Sequence, residues 1–322
     1  MGRRPGAVWA SAMVGQVAPP PPPPPPNGVK LRWGPPPTDT ASDKRWPKEN
    51  RTSAIGEVKG YRNVVAIGGE INGGTTGSQG HIVPRENTGT FHWEGWKVRL
   101  TTNADAFTAR WRTPIIQIQA CYIEVTKAST DMHSDGFQTQ EAEINELRFD
   151  RCTFKTDYQG IFTSNEPNSR SGGRSKVGKT ILSRVLFVQG AQGQPATYYF
   201  KAFPPRPGTD PIGPCEFYDV WMPELNAQYK VYPSANFSAW DGSVQKYGCF
   251  KETKKHANGQ TYPFLRFSKS TDVVPSGGAK GQACGDCQIG GDGGIWLGTP
   301  PANLNVGAPS DVGMNYVSPG YV

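Results

Sequence analysis

The stretch LRFDRCTFKTDYQGIF, residues 147–162, holds the pattern on which the fold turns. Phe149, Cys152 and Phe154 set apolar side chains at a first position, three residues later and two after that. A straight strand repeats every two residues, and a helix repeats at three and four with continuation at seven. Here the last two positions alternate as in a strand, while the three-residue step before them suits a chain turning a corner. Five more blocks share these offsets: Ala66/Gly69/Ile71, Trp93/Trp96/Val98, Ile118/Cys121/Ile123, Leu182/Val185/Phe187 and Phe217/Val220/Met222. First positions 66, 93, 118, 149, 182 and 217 lie 27, 25, 31, 33 and 35 residues apart. Repeats of that length point to solenoids or propellers, and the aromatic and β-branched content favours strands. The blocks are therefore expected to stack in parallel, with positions 69, 96, 121, 152, 185 and 220 in one inward column.

A second motif follows three of the blocks: Asp105-Ala106-Phe107, Asp135-Gly136-Phe137 and Gln159-Gly160-Ile161. It reads as a further strand on each repeat. In register, Asp105 and Asp135 become equivalent and His133 comes level with Asn103 and Asp157. Two carboxylates and an imidazole would then share one patch, with Asp135, His133 and Asp105 as catalytic candidates. Glycoside cleavage needs such a carboxylate pair, one as acid and one as base or nucleophile. Like charges on adjacent strands would raise one pKa, as suits a general acid. Asp and Asn beside Gly are also ordinary turn formers whose side chains bond their own backbone. Both readings stay open at this level.

RNVVAIGGEI (62–71), HSDGFQTQ (133–140), the stretch 147–162 and the terminal NYVSPGYV (315–322) resemble bacterial and phage right-handed β-helix repeat proteins of the pectate-lyase-like superfamily. The resemblance covers about residues 55–230 and the end of the chain. It implies an all-β, right-handed single-stranded parallel β-helix at an extracellular or virion surface. Such proteins include polysaccharide lyases and hydrolases, tail spikes and catalytically silent adhesins, so the fold leaves the chemistry open. A solenoid often gathers its binding face from loops inserted on one side. On this reading Asp157, Gln138 and Tyr158 join the substrate contacts. Arg174, Lys176 and Lys179, in the loop SRSGGRSKVGKT, would either neutralise uronate carboxylates or form an ordinary solvated loop. The likeness to pectate lyases extends a charge-neutralising or basic role to Lys176, Lys179 or Arg184.

Composition agrees with a turn-rich β chain. Gly 39 and Pro 30 make about a fifth of the 322 residues, above the usual share. The formal charge of +7 favours an anionic partner. No apolar run is long enough to span a bilayer. Residues 173–180, GRSKVGKT, match the phosphate-loop pattern, but a polar segment precedes them and the strand-like ILSRVLFV follows. That pattern needs a buried strand before it and a helix after it, so nucleotide binding is rejected. Cys284 and Cys287 form a CxxC without the second pair that a zinc ribbon requires. Metal ligands are not called for, nor is any cofactor, with calcium left open. Cys121 and Cys152 are expected as stacked core thiols. Trp111, Tyr158, Tyr198, Tyr199, Trp221 and Tyr229 fall outside the block positions, where rings either stack on sugars or pack at an edge.

The domain reading follows. Residues 1–50 form a proline-rich segment, with Pro19 to Pro26 as a stiff polyproline II rod serving as spacer or tether into a larger assembly. A cationic start and the apolar Ala7–Val17 stretch also hint at a secretory signal. Residues 51–270 form the β-helix and 271–322 a Gly/Pro-rich end. The function expected is binding of an acidic polysaccharide, with cleavage left open. The alternative is a non-enzymatic spike or adhesin component.

Overall fold

The computed structural model describes residues 30–73, 80–101, 104–126, 134–164, 175–190, 198–203, 214–223, 231–232, 249–267, 289–301 and 308–322. Among them there is no helix, and the strands join one large sheet. The protein is all-β.

The strands fall into successive levels along the chain. The first holds β1 (Lys44–Trp46), β2 (Asn50–Arg51) and β3 (Gly56–Lys59). Then come β4 (Val64–Gly73) with β5 (Ile82–Arg85), and β6 (Thr90–Leu100) with β7 (Phe107–Arg112). The fourth level holds β8 (Ile115–Gln119), β9 (Tyr122–Val125) and the first half of β10 (Asp135–Asp150). The second half of β10 opens the fifth, with β11 (Thr153–Thr156) and β12 (Gln159–Ser164). The sixth is β13 (Lys176–Ser183), β14 (Leu186–Gln189) and β15 (Tyr198–Phe203). The seventh is β16 (Cys215–Tyr218), β17 (Trp221–Met222) and β18 (Val231–Tyr232). An antiparallel hairpin, β19 (Cys249–Lys255) and β20 (Thr261–Phe267), precedes the last pair, β21 (Ile289–Gly291) and β22 (Gly294–Leu297).

Each level pairs in parallel with the next through three columns. The first runs β1, β4, β6, β8, late β10, β13, β16, β21. The second runs β2, late β4, late β6, β9, β11, β14, β17, β22. The third runs β3, β5, β7, early β10, β12, β15, β18. Ala66 faces Trp93, Trp93 faces Ile118, Ile118 faces Phe149, Phe149 faces Leu182 and Leu182 faces Phe217. The register therefore carries the spacings seen in the sequence. Trp96, Cys121, Cys152, Val185 and Val220 are fully buried.

The corner between the first two columns explains the block offsets. Gly68, Gly95, Ala120, Arg151, Arg184 and Asp219 occupy it with φ of 70°, 70°, 47°, 54°, 50° and 57°. One left-handed residue reverses the strand alternation, so residues three apart both face inward. Glycine enters that region freely, whereas a residue with a Cβ pays roughly 1 kcal/mol. Non-glycine corners persist because the levels on either side hold them.

One core lies between the columns. Phe137 of the third column packs on Phe149 of the first (ring centroids 5.4 Å), and Phe149 packs on Phe154 of the second (5.5 Å). Phe154 stacks on Phe187 one level on, at 5.8 Å. Phe267 of the hairpin covers Phe217 at 4.9 Å, closing that end of the core. Cys121 and Cys152 are buried free thiols that donate to backbone carbonyls, as expected of core sulfur. The Cys284/Cys287 pair lies outside the described residues.

Two expected boundaries move. Lys44–Trp46 and Asn50–Arg51 pair with β4, and Leu31 is fully buried, so residues 30–51 belong to the packed body. At the other end β21 and β22 add a level beyond residue 270, and the tail returns to bridge Tyr321 with Leu31. The proline run itself lies outside the described residues. No helix among the described residues is long and apolar enough to cross a membrane.

Candidate functional site

The second motif aligns as expected. Phe107 pairs with Phe137, which puts Asp105 level with Asp135, and Asp135 pairs with Gln159. All three side chains are buried, Asp105 being 8% and Asp135 2% exposed. Asp105 is engaged at both oxygens. Oδ1 accepts the Asp135 backbone N–H at 3.0 Å and Oδ2 accepts the Thr108 hydroxyl at 2.9 Å. The carboxylate thus ties one level to the next. Burial pushes its pKa up to about 6, against the lowering pull of those bonds and the Arg110 charge.

This shift has a definite sign. Between the ordinary 3.8 and about 6 the folded chain holds a proton that the unfolded chain has released. Stability therefore falls as pH rises through that window, by an amount on the order of 3 kcal/mol. Asp105→Asn keeps an acceptor for the Asp135 amide and cannot ionise. Urea titrations across pH 4 to 7 are expected to lose most of their slope in this variant, which gains stability at pH 7. An unchanged slope would place the titrating group elsewhere.

Asp157 is buried, and its carboxylate lies where a side chain on Gly190 would meet it at 2.0 Å. Burial and the Asp157 charge hold the Tyr199 phenol above its ordinary range. Tyr158 is half-buried, its backbone N–H donating to Thr156 Oγ1 at 3.0 Å. His133, Asn103, Arg174 and Tyr229 lie outside the described residues. Among those described, no three His, Cys, Asp or Glu residues are grouped to hold a metal ion.

Among the described basic candidates, Lys179 and Arg184 engage other acids. Lys176 lies in strand register beside Glu143, in the second half of β10 and away from Asp135. Lys179 Nζ meets Glu216 at 2.7 Å. Arg184 grips buried Asp150 and the Lys30 carbonyl. Trp221 is fully buried and Tyr199 nearly so, which removes both as exposed sugar platforms.

Gln138 has different company. It stands half-buried on the outer side of the third column, where Gln140 Nε2 donates to its Oε1 at 2.7 Å. Arg110 in turn donates to Gln140 Oε1 at 2.6 Å. Beside them Trp111 sits at a left-handed corner (φ 55°) with Arg85 over its ring at 5.3 Å. Among the residues whose burial is described, Trp111 is the exposed aromatic, at 49%.

One cluster escaped the sequence reading. Polar residues flank the first block position on three successive levels: His92 and Glu94, Gln117 and Gln119, Arg148 and Asp150. They face outward, yet most are buried because Arg32–Gly34 and the tail residues Tyr316 and Tyr321 lie across them. Glu94 accepts Tyr316 and Tyr321 hydroxyls at 2.8 Å each and faces His92 Nε2 at 2.8 Å. Burial pushes the Glu94 carboxyl up, but the bond from His92 and those from the tail hold it below its ordinary value. Gln119 exchanges bonds with the Trp33 backbone, and Asp150 Oδ2 accepts the Arg32 N–H at 2.8 Å. The signal was present as polar–apolar–polar triplets, though nothing local says what covers them.

No family model, curated protein or solved structure matches this chain.

Proposed function

We propose that the chain is a right-handed parallel β-helix of an extracellular or virion surface that binds an acidic polysaccharide, without cleaving it, along its third column. The three parallel columns support the solenoid, and a right-handed crossover is the general rule for parallel strands. The observation that carries the binding reading is Trp111, an exposed indole beside two amides and two guanidinium groups. An aromatic face accepts the C–H face of a sugar ring and amides match its hydroxyls, while Arg85, paired with Glu57 and Glu86, braces the indole from one side. The N-terminal segment would tether the body to a larger assembly.

Trp111→Ala is expected to weaken binding of a uronate-containing glycan about tenfold, or ~1.4 kcal/mol, with unfolding unchanged. Calorimetric titration against a glycan panel reads this. Equal affinities for parent and variant would remove the third column from recognition.

Cleavage is the second reading, favoured by the raised Asp105 pKa. It predicts unsaturated or reducing-end products from the parent and none from Asp135→Asn at equal affinity. A panel that yields no products from the parent leaves the binding reading alone.

A further inference from the structure

Two Asn-Gly dipeptides lie among the described residues, in opposite settings. Asn72 and Gly73 end β4, paired with Arg99 and Leu100. Asn258 and Gly259 form the exposed tip of the β19–β20 hairpin, with Gly259 at φ 86°. We propose that Asn258 is a self-modification site, converting spontaneously to aspartate and isoaspartate in the folded protein while Asn72 does not.

The tip arranges the reacting groups. Asn258 Oδ1 accepts the Gln260 N–H at 3.0 Å, which draws the side-chain carbonyl toward the residues that follow it. Asn258 Nδ2 donates to the Tyr262 hydroxyl at 3.0 Å, and that hydroxyl donates to Gln260 Oε1. In the reaction the Gly259 N–H leaves the His256 carbonyl, to which it donates at 2.9 Å, loses its proton to solvent base, and the nitrogen attacks Asn258 Cγ. The new N–C bond closes a five-membered ring, and the negative charge on Oδ1 meets the Gln260 N–H, an oxyanion-type contact. The Cγ–Nδ2 bond then breaks and ammonia leaves, taking a proton from the Tyr262 hydroxyl or water. Water opens the resulting succinimide at either carbonyl, giving the ordinary or the β-linked acid. No oxidant or reductant takes part.

Asn72 has the same two residues and a different fate. Its Nδ2 donates to Glu70 Oε1 at 2.8 Å, drawing the amide back along the strand. The extended, paired backbone keeps Gly73 from bending onto the side chain. Cyclisation there requires β4 to leave its neighbours.

The product changes the hairpin tip. A carboxylate at 258 cannot donate to Tyr262, and the β-linked form lengthens the turn whose bonds end on His256. His256 joins the tip to the body, with Nδ1 accepting the Asn258 N–H at 3.2 Å and Nε2 facing Asp219 at 2.9 Å.

The test holds the intact protein in mildly alkaline buffer and maps peptides by mass at intervals. A parallel sample is kept in concentrated urea. Folded protein is expected to convert Asn258 roughly tenfold or more faster than Asn72, about 1.4 kcal/mol of barrier, while urea brings the two rates together. Asn258→Gln is expected to leave its peptide unchanged in both samples. Asn72 keeping pace with Asn258 in the folded protein overturns the proposal, as does conversion of Asn258 in urea alone.

Discussion

Trp96→Ala is expected to lower the unfolding free energy by about 3–5 kcal/mol. The indole is fully buried at an inward position of the second column and lies 4.7 Å from the Trp93 ring. Its six-membered edge fills the space a side chain would take at Gly69, where an added Cβ would come within 2.6 Å of three ring atoms. Truncation leaves a cavity walled by two neighbouring levels that strand pairing keeps apart, so collapse recovers little. The reciprocal change, Gly69→Ala, overfills the same space and is expected to cost about 1–3 kcal/mol. Combined with Trp96→Phe, it is expected to cost clearly less than the sum, because the smaller ring vacates the contested volume. Chemical denaturation of the single and double variants reads all three. Additive losses would show that Trp96 does not rest on Gly69.

Glu94→Ala is expected to cost about 3–5 kcal/mol, the penalty for removing one partner of a buried charged network. The variant leaves the hydroxyls of Tyr316 and Tyr321 and the His92 ring without their shared acceptor. Much of the loss should fall on the tail, since Tyr316 also packs over Gly95, where an added Cβ would come within 2.0 Å of its ring. Limited proteolysis is expected to cut between Asp311 and Val322 in the variant well before it cuts the parent. Glu94→Gln keeps one acceptor and should cost much less. If Glu94→Ala unfolds normally and its tail resists protease, the carboxylate does not hold the clasp.

The internal levels were legible because each must fill the same inward positions around the same left-handed corner. The first level was not. Its equivalent residues are Trp46, Glu49 and Arg51, paired with Ala66, Gly69 (by register) and Ile71. At the end of a stack these positions are half-exposed, and Glu49 instead accepts the Trp46 indole N–H and pairs with Arg51. The last level was hidden by the hairpin inserted before it. Alignment of Asp105 with Asp135 could be read from spacing, but burial could not, since a polar residue at a strand start looks the same under cover or in water. The clasp was least legible, because its partners are separated by up to 227 residues and meet only after the levels have stacked.

The clasp also sets how the molecule bears load. Residues 30 and 322 leave the same spot on its flank, where Leu31 N–H donates to Gly320 O at 2.8 Å and Val322 N–H donates to Leu31 O at 2.9 Å. Tension applied between residues 30 and 322 acts first on this short seam and its side-chain anchors at Gln119, Asp150 and Glu94. The stacked levels feel no pull until the seam parts, after which force enters at β1 and β22, opposite ends of the stack. The seam is thus expected to part under load before the stacked body does.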